Sequence, residues 1–254
     1  MRIALLDSGI GGLGILSVCL NVFPDCKIDY LADTLYAPFG TQNAGILYNR
    51  LNDDIAFLRS RKADLIILAC NTASALLADE KKDGHILGIE PDVKRALAEA
   101  RGQILVFSTP ITAASALLQN TAKREARVKI IADKYLAPLI ECYAPDFARV
   151  MPYFIRLASR EGECGGIVLG CTHYLFLQEH IRKTFPGVKI FNYEKTLTGQ
   201  LLKLKNKFSP LPSADKVINL MFTGNTINLA GVNIAYGIAP RHKIFSSSIK
   251  ITLT

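Results

Sequence analysis

The chain has 254 residues, a formal net charge of +8 and a hydrophobic content of 50%. This composition is typical of a globular protein with a well-filled core and excludes a disordered chain. No apolar run reaches the roughly 18 residues that span a bilayer, and the first strand is interrupted too early to form a signal-peptide core. We therefore expect a cytoplasmic protein without membrane contact, whose six cysteines are reduced thiols.

Short β-rich segments alternate with longer helical patterns, as expected for βαβ units with parallel strands. The predicted strands are 2–7, 27–32, 64–69, 86–89, 103–107, 128–132, 166–170 and 188–191. The predicted helices are 12–22, 43–60, 72–80, 92–100, 111–124, 138–144, 146–160, 174–184 and 195–207. After residue 208 the pattern is less regular, and we expect a final strand or short helix to pack back onto the first half.

Two apolar segments that end in cysteine are nearly interchangeable, and their positions differ by 101 residues. They are residues 65–72 and 166–173, and residues 3–8 match 104–109 at the same offset. The repeat predicts two similar Rossmann- or flavodoxin-like α/β domains with parallel sheets, related by a pseudo-two-fold axis and separated by a cleft. We place the first domain at 1–95 plus 208–254 and the second at 96–207.

The two cysteines of this repeat, Cys70 and Cys171, are the leading candidates for chemistry. A thiol that follows a buried strand lies at the mouth of an α/β sheet, where such folds bind ligands. Two thiols from two similar halves could flank one substrate, as a reaction with one acid and one base on opposite faces of a carbon requires. None of the cysteines forms a C-x-x-C pair, so we expect no structural zinc.

A glycine-rich loop at residues 9–14 offers a different interpretation. It satisfies G-x-G-x-x-G between a strand and a helix, and Asp33 ends the next strand, where a ribose-binding acid would stand. A nicotinamide-dependent oxidoreductase is therefore an alternative. Against it, Asp7 and Ser8 would crowd the pyrophosphate, and both cysteine segments would be left unexplained. The loop could instead hold a small carboxylate with its backbone N–H groups.

Four motifs resemble those of the glutamate racemases of the aspartate/glutamate racemase superfamily. They are DSGIGGL at 7–13, PFG at 38–40, ACNTAS at 69–74 and GCTHY at 170–174, with weaker matches at 109–115 and 138–141. The resemblance implies an isomerase that interconverts L- and D-glutamate without pyridoxal phosphate, any other cofactor or a metal. It also implies a supply of D-glutamate for peptidoglycan, and a homodimer.

The resemblance assigns a role to each matching residue. Cys70 and Cys171 would be the two bases, with Asp7 assisting Cys70, and with Glu141 and His173 assisting Cys171. The substrate-binding residues would be Asp7, Ser8, Phe39, Gly40, Asn71, Thr72, Thr109, Thr112, Thr172 and His173. Thr109 and Thr112 are equally plausible as helix caps.

The chain also departs from the pattern that it resembles. Phe39 stands where the family usually has Tyr, Gln42 replaces a commonly basic residue, and Gly14 stands where Ser is common. These departures leave open a different substrate, such as aspartate or another amino acid, and a non-catalytic regulatory homologue. The scattered basic residues lack interleaved aromatics, so we expect a small-molecule partner and no nucleic acid.

Overall fold

The computed structural model describes residues 1–78, 84–207, 217–224 and 249–254, in which strands and helices alternate. The strands are β1 (Arg2–Asp7), β2 (Lys27–Ala32), β3 (Leu65–Leu68), β4 (Ile86–Gly88), β5 (Ile104–Ser108), β6 (Val128–Ala132), β7 (Gly166–Gly170), β8 (Lys189–Phe191), β9 (Ile218–Phe222) and β10 (Ile249–Leu253). The helices are α1 (Leu13–Val22), α2 (Ala44–Ser60), α3 (Asn71–Leu76), α4 (Val93–Glu99), α5 (Pro110–Ala113), α6 (Ala116–Arg124), α7 (Leu136–Tyr143), α8 (Met151–Ser159), α9 (Gln178–Thr184) and α10 (Glu194–Lys205). Within these ranges no helix is both long and apolar enough to cross a membrane.

Two parallel sheets form the framework, and their strand orders confirm the predicted duplicated α/β fold. The first sheet has the order β10-β9-β2-β1-β3-β4, and the second has the order β6-β5-β7-β8. Ile3 pairs with Leu65 in the first sheet, and Ile104 pairs with Gly166 in the second. Adding 101 to the numbers of the first pair gives the second pair, which is the offset of the repeat. The two halves therefore share strand register as well as strand order.

The eight predicted strands agree with the structure to within one residue at each end. Their central members, β3, β5 and β7, are buried at every position because helices cover both faces of each sheet. The predicted helix 111–124 is instead two helices, since the Ser115 side chain caps a new helix by accepting from Leu118 N. The predicted helix 72–80 ends at Leu76, and residues 79–80 lie outside the described part.

The first sheet is completed by residues from the end of the chain. Strand β9 pairs with β2, and β10 pairs with β9, both in parallel. Helix α10 also packs beside α1, with Leu197 and Leu201 in the same apolar cluster as Leu16 and Leu20. Our boundary at residue 207 had placed α10 in the second domain, and the domain boundaries stay a prediction.

Two segments of the chain cross between the sheets, and a small polar cluster joins them. The first segment connects β4 to β5, and the second connects β8 to α10. Asp92 on the first segment accepts from Arg95 Nε at 2.7 Å and from Thr196 Oγ1 at 3.0 Å. Arg95 in turn donates to the carbonyl of Asn192 at 3.3 Å. These hydrogen bonds therefore join the segment between β4 and β5 to the chain around the start of α10.

Candidate active site

The two repeat cysteines line one small cavity between the halves. Cys70 lies two residues after the end of β3, and Cys171 lies one residue after the end of β7. Their exposed fractions are 5% and 4%. The cavity has a volume of about 30 Å³, which is room for about one water molecule. The carboxyl ends of β3 and β7 thus bring two thiols to one enclosed space.

On the side of Cys171, an imidazole and a carboxylate form a hydrogen-bonded chain. His173 Nδ1 lies 3.7 Å from Cys171 Sγ, and His173 Nε2 lies 2.7 Å from Glu141 Oε1. The same carboxylate oxygen accepts from Ile10 N at 2.8 Å, which links α7 to the glycine loop of the first half. Burial alone would lower the pKa of His173, but its hydrogen bonds to Cys171 and Glu141 raise that pKa well above its ordinary value. The imidazolium is therefore favoured beside the Cys171 sulfur, where it can stabilise negative charge.

On the side of Cys70, the ionisable group with the largest electrostatic effect on the thiol is a fully buried carboxyl, Asp7. Asp7 Oδ1 accepts from Gly9 N at 2.9 Å, and Asp7 Oδ2 accepts from Thr172 Oγ1 at 3.2 Å. Burial raises the pKa of Asp7 from 3.8 to about 6, although the charge of His173 opposes the shift. Burial, followed by the negative charge of Asp7, raises the pKa of the Cys70 thiol. Cys70 is therefore held as a neutral thiol, in contrast to the cationic surroundings of Cys171.

The glycine loop is shaped by contact with the second half. A Cβ on Gly11 would lie 2.6 Å from both His173 Nδ1 and Thr172 Oγ1. A Cβ on Gly9 would overlap the Glu141 carboxylate. These glycines allow side chains of the second half to approach the backbone of the first. The approach leaves no room for a pyrophosphate at the positions that G-x-G-x-x-G would predict.

Asp33, the supposed ribose ligand, is already engaged elsewhere. Its two carboxylate oxygens accept from Arg50 Nε and Arg50 Nη2, each at 3.0 Å. Thr223 Oγ1, which follows β9, donates to the same carboxylate at 2.5 Å. The glycine loop and Asp33, the two features that suggested a dinucleotide, are therefore both explained by contacts within the protein.

Three threonine hydroxyls meet at the opposite wall of the cavity. Thr72 Oγ1 lies 2.9 Å from Thr109 Oγ1 and 3.4 Å from Thr112 Oγ1, and Thr109 donates to Thr112 at 3.0 Å. Thr109 also caps α5 by accepting from Thr112 N at 3.4 Å, so the helix cap, one of the two roles that the sequence allowed, is seen in the structure. A Cβ on Gly40 would lie 2.5 Å from Thr109 Cβ, which fixes the loop at residues 38–41 against this wall.

Of the thirteen residues given a role by the resemblance, nine line the cavity and four are buried without lining it. Those that line it are Ser8, Phe39, Gly40, Cys70, Thr72, Thr109, Glu141, Cys171 and His173. The buried residues outside the lining are Asp7, Asn71, Thr112 and Thr172. Asn71 has an exposed fraction of 3%, and neither of its side-chain amide atoms has a hydrogen-bond partner. A buried amide in this state is suited to receive a polar ligand.

Several other lining residues had been assigned no role from the sequence. They are Ala37, Pro38, Thr41, Asp133, Lys134, Ala137 and Pro138. Asp133 and Lys134 follow β6 at the carboxyl edge of the second sheet. They lie in a further part of the internal repeat, since residues 132–138 match residues 32–38 at an offset of 100. A second, larger cavity of about 820 Å³ lies among β4, α4, α6 and α10 and contains neither thiol.

Two similar α/β halves with a pair of thiols at one shared cavity define the class of two-cysteine α/β enzymes. A glutamate racemase from Halothermothrix orenii is 32% identical to this chain over 217 residues, covering 81% of the chain and 84% of the relative. A glutamate racemase from Aquifex aeolicus is 30% identical over 240 residues, covering 90% and 91%. The chain therefore belongs to the glutamate racemase family. No protein-family model matches the sequence.

The fold agrees with a solved structure of the same family. The crystal structure of an Escherichia coli glutamate racemase, in complex with L-glutamate and the activator UDP-MurNAc-Ala, has a TM-score of 0.79 to this chain. The alignment covers 99% of this chain and 97% of that one, at 19% identity. At this identity the likeness concerns the fold.

Proposed function

We propose that this chain interconverts L- and D-glutamate by a two-base mechanism in which Cys70 and Cys171 act on opposite faces of the α-carbon. The observation that carries the proposal is the shared cavity of the two thiols, each with its own ionisable partners. Membership of the glutamate racemase family supports the substrate. The proposed mechanism needs no cofactor, because both the acid and the base come from the chain.

Substrate binding requires the two halves to separate. A cavity of about 30 Å³ is far smaller than an amino acid, so the cleft opens to admit glutamate and closes around it. The hydroxyls of Thr72, Thr109 and Thr112, which bond to one another in the closed state, then become donors to a carboxylate. Closure also excludes water, which strengthens these interactions at the moment of proton transfer.

Proton transfer follows from the unequal surroundings of the thiols. For one enantiomer, the Cys171 thiolate removes the α-proton, with the His173 imidazolium beside it. The neutral Cys70 thiol then donates its proton to the opposite face of the carbanion. The products are the other enantiomer, a Cys171 thiol and a Cys70 thiolate, and the Asp7 carboxyl, whose charge raises the pKa of Cys70, takes part in resetting the Cys70 proton. The other enantiomer reacts by the same steps in reverse.

The test is racemisation and α-proton exchange in D₂O, with L- and then D-glutamate and no added cofactor. Wild type is expected to change the circular dichroism of the substrate and to incorporate deuterium at the α-carbon. Cys70→Ser and Cys171→Ser should each lower kcat by about 10²-fold or more, the range for a lost general acid or base. Cys164→Ser, at a half-buried cysteine away from the cavity, is the control and should keep wild-type turnover.

Other outcomes identify the alternatives. Exchange with aspartate but not with glutamate would retain the mechanism and replace the substrate. Reduction or oxidation of a nicotinamide cofactor would replace the mechanism. Absence of exchange with any amino acid would leave a non-catalytic regulatory homologue as the better account.

We further propose that the protein acts in the cytoplasm, as a homodimer, to supply D-glutamate for peptidoglycan. The support is its resemblance to the family. Rescue of a D-glutamate-requiring bacterial strain tests the cellular role, and light scattering on the purified protein tests the dimer.

A further inference from the structure

The cavity that holds the thiols has an uneven distribution of charge. Among the described residues that line it, Lys134 is the one lysine or arginine. Two carboxylates, Asp133 and Glu141, also line it. A substrate with two carboxylates and one ammonium group carries a net negative charge, so it needs a cation that is not already neutralised.

The other charged groups of the lining are held by partners on the protein. Asp133 accepts from Tyr135 N at 2.9 Å, from Leu136 N at 2.6 Å and from Tyr153 Oη at 2.7 Å. His173 lies between Cys171 and Glu141 and is part of the proton-transfer chain. Asp133 is an anion and repels a second carboxylate of the substrate, and the charge of His173 is already shared with Cys171 and Glu141.

Lys134 is placed differently. Its side chain is exposed, and its Nζ lies 4.9 Å from the centre of the Tyr135 ring, which is itself 54% exposed. This contact is at the surface and is weak, and the four-carbon stem of lysine can swing its ammonium group through several ångströms. An ammonium group at the rim of a cleft becomes a stronger partner for an anion when closure removes water.

We propose that Lys134 binds the side-chain carboxylate of the substrate and makes the site selective for acidic amino acids. This inference deepens the proposed function and depends on it. The three threonine hydroxyls and the unpartnered amide of Asn71 are left for the α-carboxylate and the ammonium group. Lys134 then contributes binding energy and charge selectivity, and the thiols contribute the chemistry.

The test compares Lys134→Met, which keeps the length of the side chain and removes its charge, with Lys134→Arg, which keeps the charge. Lys183→Met, at an exposed lysine on α9 outside the cavity, is the matched control. The readouts are KM and kcat for L- and D-glutamate, and the inhibition constant of glutamine, whose side chain is neutral. We expect Lys134→Met to raise KM for glutamate by about 10-fold, the effect of one lost charge-assisted hydrogen bond. The kcat and the inhibition constant of glutamine should stay unchanged, and Lys134→Arg should restore most of the affinity.

Three results would overturn the proposal. An unchanged KM in Lys134→Met would show that the ammonium group does not contact the substrate. Equal weakening of glutamate and glutamine would assign Lys134 to the α-carboxylate or to the shape of the cavity. A similar rise of KM in Lys183→Met would reduce the effect to general surface charge. Failure of the proposed function is recognised separately, because wild-type protein would then not racemise glutamate at all.

Discussion

Replacing Glu141 by Gln removes the charge that holds His173 beside Cys171 while keeping the size of the side chain. Glu141 Oε1 is 2.7 Å from His173 Nε2 and 2.8 Å from Ile10 N. The pair is mostly buried, with exposed side-chain fractions of 27% for Glu141 and 5% for His173. A hydrogen bond to a charged group contributes about 1.5–3 kcal/mol, and we therefore expect kcat to fall by about 10- to 100-fold.

The pH dependence of the variant has a definite sign. Glu141 is one cause of the raised pKa of His173, so its neutral replacement lowers that pKa towards its ordinary value of 6.5. The alkaline limb of kcat, where the imidazolium is lost, should move to lower pH. Because the pKa of His173 is higher in the folded protein than in the unfolded chain, its protonation stabilises the fold. This stabilisation is complete when the pH is below the pKa of the unfolded chain, and it is lost as the pH rises through the pKa of the folded protein. The difference in Tm between wild type and variant should accordingly be larger below about pH 6 than in alkaline solution.

Isotope effects separate a catalytic from a structural role for Glu141. With α-deuterated substrates, the variant should show a larger isotope effect for the enantiomer that Cys171 deprotonates and a smaller one for the other. Glu179→Gln, at an exposed glutamate on α9, is the control and should match wild type. An unchanged kcat, or an equal change of both isotope effects, would refute the assignment of Glu141 to the Cys171 side.

Two further changes test the buried carboxyl and the glycine loop. The difference between 3.8 and about 6 in the pKa of Asp7 corresponds to about 3 kcal/mol of cost to the fold once both states are ionised. Asp7→Asn should therefore raise Tm at pH 7 and lower kcat, as measured by thermal melts and racemisation, whereas a lower Tm would show that its hydrogen bonds outweigh burial. Gly11→Ala should place a methyl group against His173 and Thr172 and lower kcat at least about 10-fold, the scale of a displaced catalytic group, with unchanged circular dichroism of the fold. Gly45→Ala, which meets a neighbouring atom at 3.4 Å, is its control, and equal activities would mean that the site adjusts to the methyl group.

The architecture was accessible from the sequence because buried parallel strands have a strong local signal. Segments such as 65–68 and 166–170 are continuous apolar runs, and their repetition at 101 residues predicted two sheets of the same order. The same repeat brought Cys70 and Cys171 to equivalent strand ends. These features depend on local pattern and on order along the chain, which sequence reasoning can follow.

Contacts between distant segments were not accessible in this way. The ion pair of Asp33 with Arg50, and its hydrogen bond from Thr223, depend on the approach of three separate elements. The glycine loop matched a nucleotide-binding motif because the sequence shows which positions lack a side chain. It does not show which group occupies the space beside those glycines. In this chain the space is filled by His173 and Glu141 from the other half. Lys134 likewise carried no motif, since its place at the cavity depends on how the halves meet.

The small volume of the closed cavity also bears on how the thiols survive in a cell. With exposed fractions of 5% and 4%, Cys70 and Cys171 are shielded from oxidants and alkylating agents larger than water while the halves are together. In the proposed mechanism, where the cleft opens to admit substrate, chemical damage is confined to the intervals in which it is open. On that mechanism, the rate at which a bulky electrophile labels the two thiols measures how often the cleft opens, and a bound substrate that holds the cleft closed slows the labelling.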